Sequence, residues 1–140
     1  MIRPYLPTDL EAVLDTWYQS TTLAHPFMTE AFKAKERKNI EDIYIKNTIT
    51  SVFEKEGSII GFIAMIGNEV GAIFVQPAQI GKGIGRQLMD HVRAQHETLE
   101  VEVFKANTIG RAFYERYGFT YMKEYIHEET GQTVLRLKLS

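Results

Sequence analysis

A glycine-rich turn between an apolar run and an amphipathic segment is the feature that most constrains this 140-residue chain. The apolar run covers residues 71–75, glycine then occupies alternate positions across residues 81–85, and the following segment repeats apolar residues at helical spacing. Glycines let backbone N–H groups approach an anion, and the first N–H groups of a helix have no partner within it. The helix dipole adds positive charge there, as would Lys82 and Arg86. The turn therefore predicts a pyrophosphate site between a strand and a helix.

The composition is that of an ordinary globular protein. Apolar residues make up 44% and charged residues 24%, and the length fits a single domain spanning residues 1–140. No apolar run approaches the ~18 residues that span a bilayer, and no signal peptide is evident, so we expect a cytoplasmic protein with no membrane partner. A net charge of −2 gives no reason to expect nucleic-acid binding. With no cysteine and four histidines that lack ligand spacing, we expect no disulfide and no metal.

The periodicity of the apolar residues predicts the order β-α-α-β-β-β-α-β-α-β-β, which is an α/β fold with a mixed sheet. The first helix is expected to fray at residues 20–22. Three antiparallel strands follow the second helix, and the last of them ends at Val75 before Pro77. The strand at residues 99–103 follows a helical crossover, so it should lie parallel to that third strand. One parallel pair is therefore expected at the centre of the sheet.

Three kinds of phosphate-binding loop can be compared with residues 79–89. A Walker A loop requires Ser or Thr after its lysine, and here Gly83 follows Lys82. A dinucleotide fingerprint requires Gly-x-Gly-x-x-Gly within a parallel βαβ unit, whereas antiparallel strands precede this turn. The stretch instead resembles the acyl-CoA loop of the GNAT superfamily of N-acetyltransferases, in which Arg or Gln is followed after two residues by Gly-x-Gly or Gly-x-Ala. That pattern falls here on Ile80, Gly83 and Gly85.

Residues 107–119 strengthen the resemblance. They read Asn-Thr-Ile-Gly-Arg-Ala-Phe-Tyr-Glu-Arg-Tyr-Gly-Phe, which is similar to the family segment Asn-x-x-Ala-x-x-Phe-Tyr-x-x-x-Gly-Phe. Residues 2–10 also resemble the family's first strand and helix, so the resemblance extends over essentially the whole chain. Two positions depart from the pattern. Ile80 stands where Arg or Gln is usual, which leaves the loop more dependent on backbone donors, and Gly110 stands where Ala is usual and is expected to give the cofactor room.

The resemblance implies that the chain binds acetyl-CoA as a cosubstrate. Backbone groups of the strand before the turn would contact pantetheine and the acetyl carbonyl, and the turn would hold the pyrophosphate. Asn107 would contact pantetheine or brace the loop, although it also suits the N-cap of the last helix. The implied cofactor-binding residues are Ile73, Phe74, Val75, Gly81, Lys82, Gly83, Ile84, Gly85, Arg86, Asn107 and Tyr114.

Tyr114 is our candidate for the general acid. CoA leaves as a thiolate, and a thiol titrates near ~8.5, whereas a phenol near ~10 keeps its proton at neutral pH and can donate it to the departing sulfur. The structural alternative is a packed aromatic residue on an amphipathic helix. Because the chain has no cysteine to carry the acetyl group, we expect direct attack by the amine in a ternary complex.

The general base and the acceptor are less constrained by the sequence. Candidate bases are Glu69, Glu102, His25 or water, and each carboxylate could equally face solvent. Residues 25–27, His-Pro-Phe, resemble a segment of small stand-alone bacterial family members and lie where this fold usually builds its acceptor wall. The candidate acceptor-binding residues are Thr22, His25, Phe27 and Tyr44.

The resemblance leaves several properties of the protein open. The acceptor is expected to be a primary amine, either a small molecule or a protein lysine or N-terminus. The protein is expected to be a monomer or a homodimer. The alternative to an enzyme is a catalytically silent CoA-binding sensor or interaction module on the same fold.

Overall fold

A computed structural model describes residues 1–140 and shows one seven-stranded mixed sheet with four α-helices. The elements are β1 Ile2–Pro4, α1 Leu10–Ala24, α2 Glu30–Asn39, β2 Ile49–Lys55, β3 Ser58–Ile66, β4 Glu69–Val75, α3 Ile84–Arg93, β5 Leu99–Phe104, α4 Thr108–Tyr117, β6 Thr120–Ile126 and β7 Thr133–Leu139. The strands lie in the order β1-β2-β3-β4-β5-β7-β6. The predicted fold class and element order are therefore confirmed. None of the helices is long and apolar enough to cross a membrane.

The central strands β4 and β5 are parallel, as predicted, but they pair over only two residue pairs, Glu69 with Glu100 and Val70 with Val101. The next residue of β4, Gly71, falls at a register shift against β3, where Ala64 pairs with Ala72 and Met65 with Val70. Such a bulge bends a strand. From Gly71 to its end, β4 is therefore paired only on its β3 side, and an opening separates it from β5.

Arg136 on β7 joins the two central strands at the closed end of this opening. Its guanidinium lies 2.8 Å from Glu69 on β4, 2.8 Å from Glu100 on β5 and 3.2 Å from Glu102 on β5. All four side chains are partly buried, so their hydrogen bonds are less screened than those of exposed pairs. The four residues, called here the Arg136 cluster, thus support the short stretch of β4–β5 pairing.

The two faces of the sheet carry separate cores. The larger core lies under α3 and α4, and Ile63, Leu88 and Leu99 are fully buried in it. The smaller core lies under α1, where Trp17 packs with residues of β2 and β3. Helices therefore cover both faces of the sheet, and the opening between β4 and β5 connects the two sides.

Helix α1 continues to Ala24, so the expectation that it frays at residues 20–22 is wrong. Ser20 and Thr21 are buried, and the Ser20 hydroxyl donates to the Val75 carbonyl at the end of β4. This tertiary contact satisfies a hydroxyl group that would otherwise compete with the helix backbone. The last turns of α1 are consequently held beside the opening.

Helix α2 begins as predicted at an N-cap, because the Thr29 hydroxyl accepts a hydrogen bond from Phe32 N. It does not run on regularly toward Ile49. Residues Ile40–Tyr44 form a π-helical turn, and Ile45–Asn47 form a 3-10 turn. This irregular end places Tyr44 against Gly71 of β4.

Candidate active site

A cavity of about 480 Å³ lies between the separated strands, α3, α4 and the end of α1. Ten of the predicted cofactor-binding residues line it, namely Ile73, Phe74, Val75, Gly81, Gly83, Ile84, Gly85, Arg86, Asn107 and Tyr114. Lys82 does not line the cavity; its ammonium lies 3.4 Å from Gln79 Oε1 on the exposed side of the turn. The structure thus brings the strand, the glycine turn and α4 together around one space.

The glycine turn has the backbone conformation that its sequence requires. Gly81 and Gly83 adopt φ angles of 86° and 81°, which residues with a side chain rarely adopt. Gly83 is the N-cap of α3, and no side chain caps its first N–H groups, which stay available to an anion. Gly85 has a different role, because a Cβ there would lie 3.2 Å from the Phe113 ring. It lets α3 and α4 pack closely on one side of the cavity.

Tyr114 points its ring into this cavity from α4. The side chain is only 7% exposed and packs edge-on against Phe113 and Phe119. Burial raises the pKa of the phenol, so the hydroxyl keeps its proton at neutral pH. The side of β4 that β5 leaves unpaired lines the same cavity and offers backbone groups between Gly71 and Phe74. A proton donor and free backbone groups therefore face the same space.

A second cavity, of about 250 Å³, lies on the α1 and α2 side of the sheet. Its walls include Tyr44 among the predicted acceptor-binding residues, together with Trp17, Thr21, Phe32, Glu36 and His127. Five residues line both cavities: His25, Gly71, Ala72, Phe74 and Phe104. The two cavities therefore lie on opposite sides of one thin wall.

His25 forms a hydrogen-bonded link across that wall. Asn107 Oδ1 accepts from Gly110 N, which orients its Nδ2 toward His25 Nε2 at 3.3 Å. Nε2 is then the acceptor, so Nδ1 carries the proton and donates to Thr21 Oγ1 at 2.7 Å. Burial lowers the pKa of His25 to about 4. The ring is therefore neutral, and neither nitrogen is free to take a proton from an amine.

The absence of a side chain at Gly110 is required by this link. A Cβ at position 110 would lie 2.6 Å from Asn107 Nδ2 and 3.2 Å from Val103 Cγ2. The Asn107 amide occupies the space that a side chain would need, and Gly110 also lines the first cavity, so room for the cofactor at this position stays a prediction. The family's usual alanine would push that amide away from His25.

Of the remaining predicted residues, Thr22 and Phe27 line neither cavity, and Glu69 and Glu102 belong to the Arg136 cluster. Glu69 lines neither cavity, and Glu102 lines the first one, where its carboxylate also accepts from Tyr125 at 2.8 Å. Thr22 points away and accepts from Lys33 Nζ at 3.1 Å. Phe27 packs against the rings of His25 and Phe104 from behind.

Several residues that line the second cavity were not predicted from the sequence. Phe104 continues the alternation of Glu100 and Glu102, so extending β5 by one residue would have placed it on their face. His127 and Glu36 carried no such signal. They reach the cavity because α2 contacts the β6–β7 turn, where Lys35 bonds Glu129 at 2.7 Å and Phe32 packs against His127.

Residues 46–121, more than half of the chain, match the family model described as the acetyltransferase (GNAT) domain. The chain therefore belongs to the GNAT acetyltransferases and is an N-acetyltransferase that uses acetyl-CoA. The predicted family, enzyme class and cosubstrate are confirmed.

Particular relatives differ in their acceptors. The peptidyl-lysine N-acetyltransferase YiaC of Escherichia coli K12 is 34% identical over 120 residues, which cover 85% of this chain and 82% of that protein. The 5-NmdU N-acetyltransferase of Pseudomonas phage PaMx11 is 32% identical over 137 residues, covering 92% of this chain and 93% of that protein. The solution structure of apo YjaB from Escherichia coli has the same fold, with a TM-score of 0.88, 20% identity and coverage of 99% of this chain and 95% of that one.

We expect the free energy of unfolding to fall as the pH drops from about 6.5 to about 4 because of His25. The folded chain holds the ring neutral, with a pKa of about 4 against an ordinary value of 6.5. As the pH falls, the His25 ring is therefore protonated in the unfolded chain before it is protonated in the folded chain. This contribution to stability is fully present above pH 6.5 and is lost as the pH falls, by roughly 3 kcal/mol at most. Urea unfolding at a series of pH values measures it.

The matched variants are His25→Gln, which should lose this part of the pH dependence, and His91→Gln, which should retain it. An unchanged slope in the His25→Gln chain would contradict the buried neutral ring.

A double-mutant cycle tests the role of Gly110. Replacing a helical glycine with alanine ordinarily raises stability by about 1 kcal/mol. Gly110→Ala should bring little of that gain, because the new Cβ would displace the Asn107 amide from His25. In an Asn107→Ala background the gain should return, so the two changes should depart from additivity by about 1 kcal/mol. Denaturant unfolding of the four chains measures this, and additive effects would refute the explanation.

Proposed function

We propose that this acetyltransferase acts on lysine side chains of proteins or peptides, with Tyr114 as the general acid. The observation that supports the proposal most is the second cavity directly behind the β4–β5 opening, since an acceptor amine there would reach an acetyl group in the first cavity through that opening. The name of the 34% identical relative, a peptidyl-lysine N-acetyltransferase, supports the same acceptor.

The lining of the second cavity suits an unbranched alkylamine. Aromatic side chains form much of it, namely Trp17, Phe32, Tyr44, Phe62, Phe74 and Phe104. Aromatic walls favour the four methylene groups of lysine and also attract its ammonium through their π faces. Glu36 is the only carboxylate in the lining, and burial raises its pKa, with a further contribution from Glu129. A narrow, mostly apolar space with one acidic group fits a lysine end better than a highly polar sugar amine.

Acetyl transfer then needs the amine to lose a proton and the sulfur to gain one. The nitrogen lone pair attacks the thioester carbon, the C–N bond forms, and the C–S bond breaks. A backbone N–H of β4 stabilises the developing oxyanion, an interaction worth roughly 3 to 4 kcal/mol in other enzymes. Tyr114 donates its proton to the departing sulfur, so CoA leaves as the thiol.

Deprotonation of lysine is the demanding part. At pH 7 only about 1 lysine in 2,500 is uncharged, which corresponds to about 4.6 kcal/mol, whereas an α-amine needs only about 1 kcal/mol. Both His25 nitrogens are already bonded, which argues against His25 as the base. We assign proton removal to water leading to Glu69 or Glu102, whose carboxylates lie in the Arg136 cluster.

The acceptor is tested with two matched peptides. One carries a single lysine and a blocked N-terminus, and the other carries arginine in its place and a free N-terminus. Thiol release and mass spectrometry should show kcat/KM at least about tenfold higher for the lysine peptide, because only that side chain passes through the second cavity with its nitrogen at the wall. A preference for the free N-terminus would reject the lysine proposal. Intact CoA binding without any transfer would favour a silent CoA-binding module.

Tyr114→Phe tests the general acid. We expect kcat to fall at least about tenfold with the Kd of acetyl-CoA little changed, because the ring still fills its place while the donated proton is lost. Tyr121→Phe, on the exposed β6 strand, is the matched control and should keep full activity. A Tyr114→Phe chain that turns over at the original rate would show that another group protonates the sulfur.

A further inference from the structure

The hydroxyl of Tyr44 is the one buried side-chain nitrogen or oxygen of the chain without a hydrogen-bond partner. Buried polar groups are nearly always satisfied, and an unsatisfied one lowers the stability of the folded state. No strand, cap or ion pair of the fold uses this oxygen. No contact within the folded chain accounts for this buried hydroxyl, which suggests that its partner is a ligand.

The hydroxyl lies at the wall between the two cavities. Tyr44 lines the second cavity, and a Cβ on residue 71 would overlap its Oη. Gly71 lines both cavities and is the first residue of β4 beyond the last pair with β5. A glycine at this bulge is thus what allows the phenol to reach the point where the strands part.

The state of the hydroxyl suits a group that receives a hydrogen bond. Burial and the charge of Glu69 raise the pKa of Tyr44 to about 12, so the phenol stays protonated at neutral pH. A protonated phenol carries one O–H donor and an acceptor oxygen, so its oxygen can accept a hydrogen bond from an N–H of the acceptor without removing the proton. The orienting arrangement is the one in which the amine donates one N–H to this oxygen, because its lone pair then points elsewhere.

We propose that Tyr44 Oη binds the acceptor nitrogen and directs its lone pair through the gap at Gly71 toward the acetyl carbon. This inference rests on the proposed acetylation of an alkylamine and adds a residue that orients the nucleophile. In this arrangement the aromatic walls hold the methylene chain, and the Tyr44 oxygen sets the angle at which the amine attacks. Orientation of this kind acts on the rate of transfer rather than on acetyl-CoA binding.

Two purely structural explanations of Tyr44 make different predictions. If Tyr44 only filled space, its ring would be enough and its hydroxyl would be dispensable for activity. If the hydroxyl had a structural partner, removing it would weaken the fold. An orienting role requires that loss of the hydroxyl reduce transfer while stability stays the same or rises.

Tyr44→Phe separates these cases. We expect kcat/KM for the lysine peptide to fall about tenfold or more, the Kd of acetyl-CoA to stay unchanged, and the midpoint of denaturant unfolding to stay the same or rise. The matched control is Tyr18→Phe, which removes a phenol bonded to Glu30 on the outer side of α1 and should keep full activity. An unchanged kcat/KM in Tyr44→Phe overturns the proposal, as does a clear loss of stability.

A binding measurement tests the role of Tyr44 separately from the identity of the acceptor. Protein labelled with 13C at tyrosine Cζ and saturated with CoA is titrated with n-butylamine at alkaline pH, and Tyr44→Phe identifies the Tyr44 resonance. We expect that resonance to shift while the Tyr18 resonance does not. A shift without acetylation of the lysine peptide would keep the role of Tyr44 and reject lysine as the acceptor. Acetylation of the peptide with no shift would overturn the role of Tyr44.

Discussion

The parting of β4 and β5 after two residue pairs is the constraint on which the rest of the structure depends. The Arg136 cluster holds the strands together at the closed end, where a single guanidinium bonds carboxylates of both. At the other end, Ser20 bonds the Val75 carbonyl and ties β4 to α1. The gap is therefore fixed from both ends by side chains of other elements. Without it the sheet would close, and the two cavities would have no common wall.

Local signals in the sequence were enough to predict the fold, and together with the family resemblance they pointed to ten residues that line the first cavity. The alternation at residues 99–103, the alternate glycines of the turn and the Asn107 cap each act through neighbours close in the chain. Gly118, for example, ends α4 at a φ of 118°, as its place after the helix predicted. Such features depend on backbone geometry that one or two residues determine, so a single sequence reveals them.

The acceptor side could not be predicted in the same way, because its contacts join distant residues. His25 and Asn107 are 82 positions apart, and no spacing rule relates them. Thr21 and Thr22 illustrate the same limit: one helical step separates them, yet Thr21 bonds His25 in the wall and Thr22 faces Lys33 outside it. Which of these two threonines faces the wall depends on tertiary packing at the end of α1, because both residues are the same in type.

Helix α1 contributes to both cavities from a single rigid element. Its last turns give Ser20, Leu23 and Ala24 to the first cavity, while Trp17 and Thr21 face the second. A ligand that moves this helix from one side changes the fit on the other. By thermodynamic linkage, any factor by which the thioester alters the affinity for the amine is the factor by which the amine alters the affinity for the thioester. Any coupling that runs through this shared helix therefore acts equally in both directions.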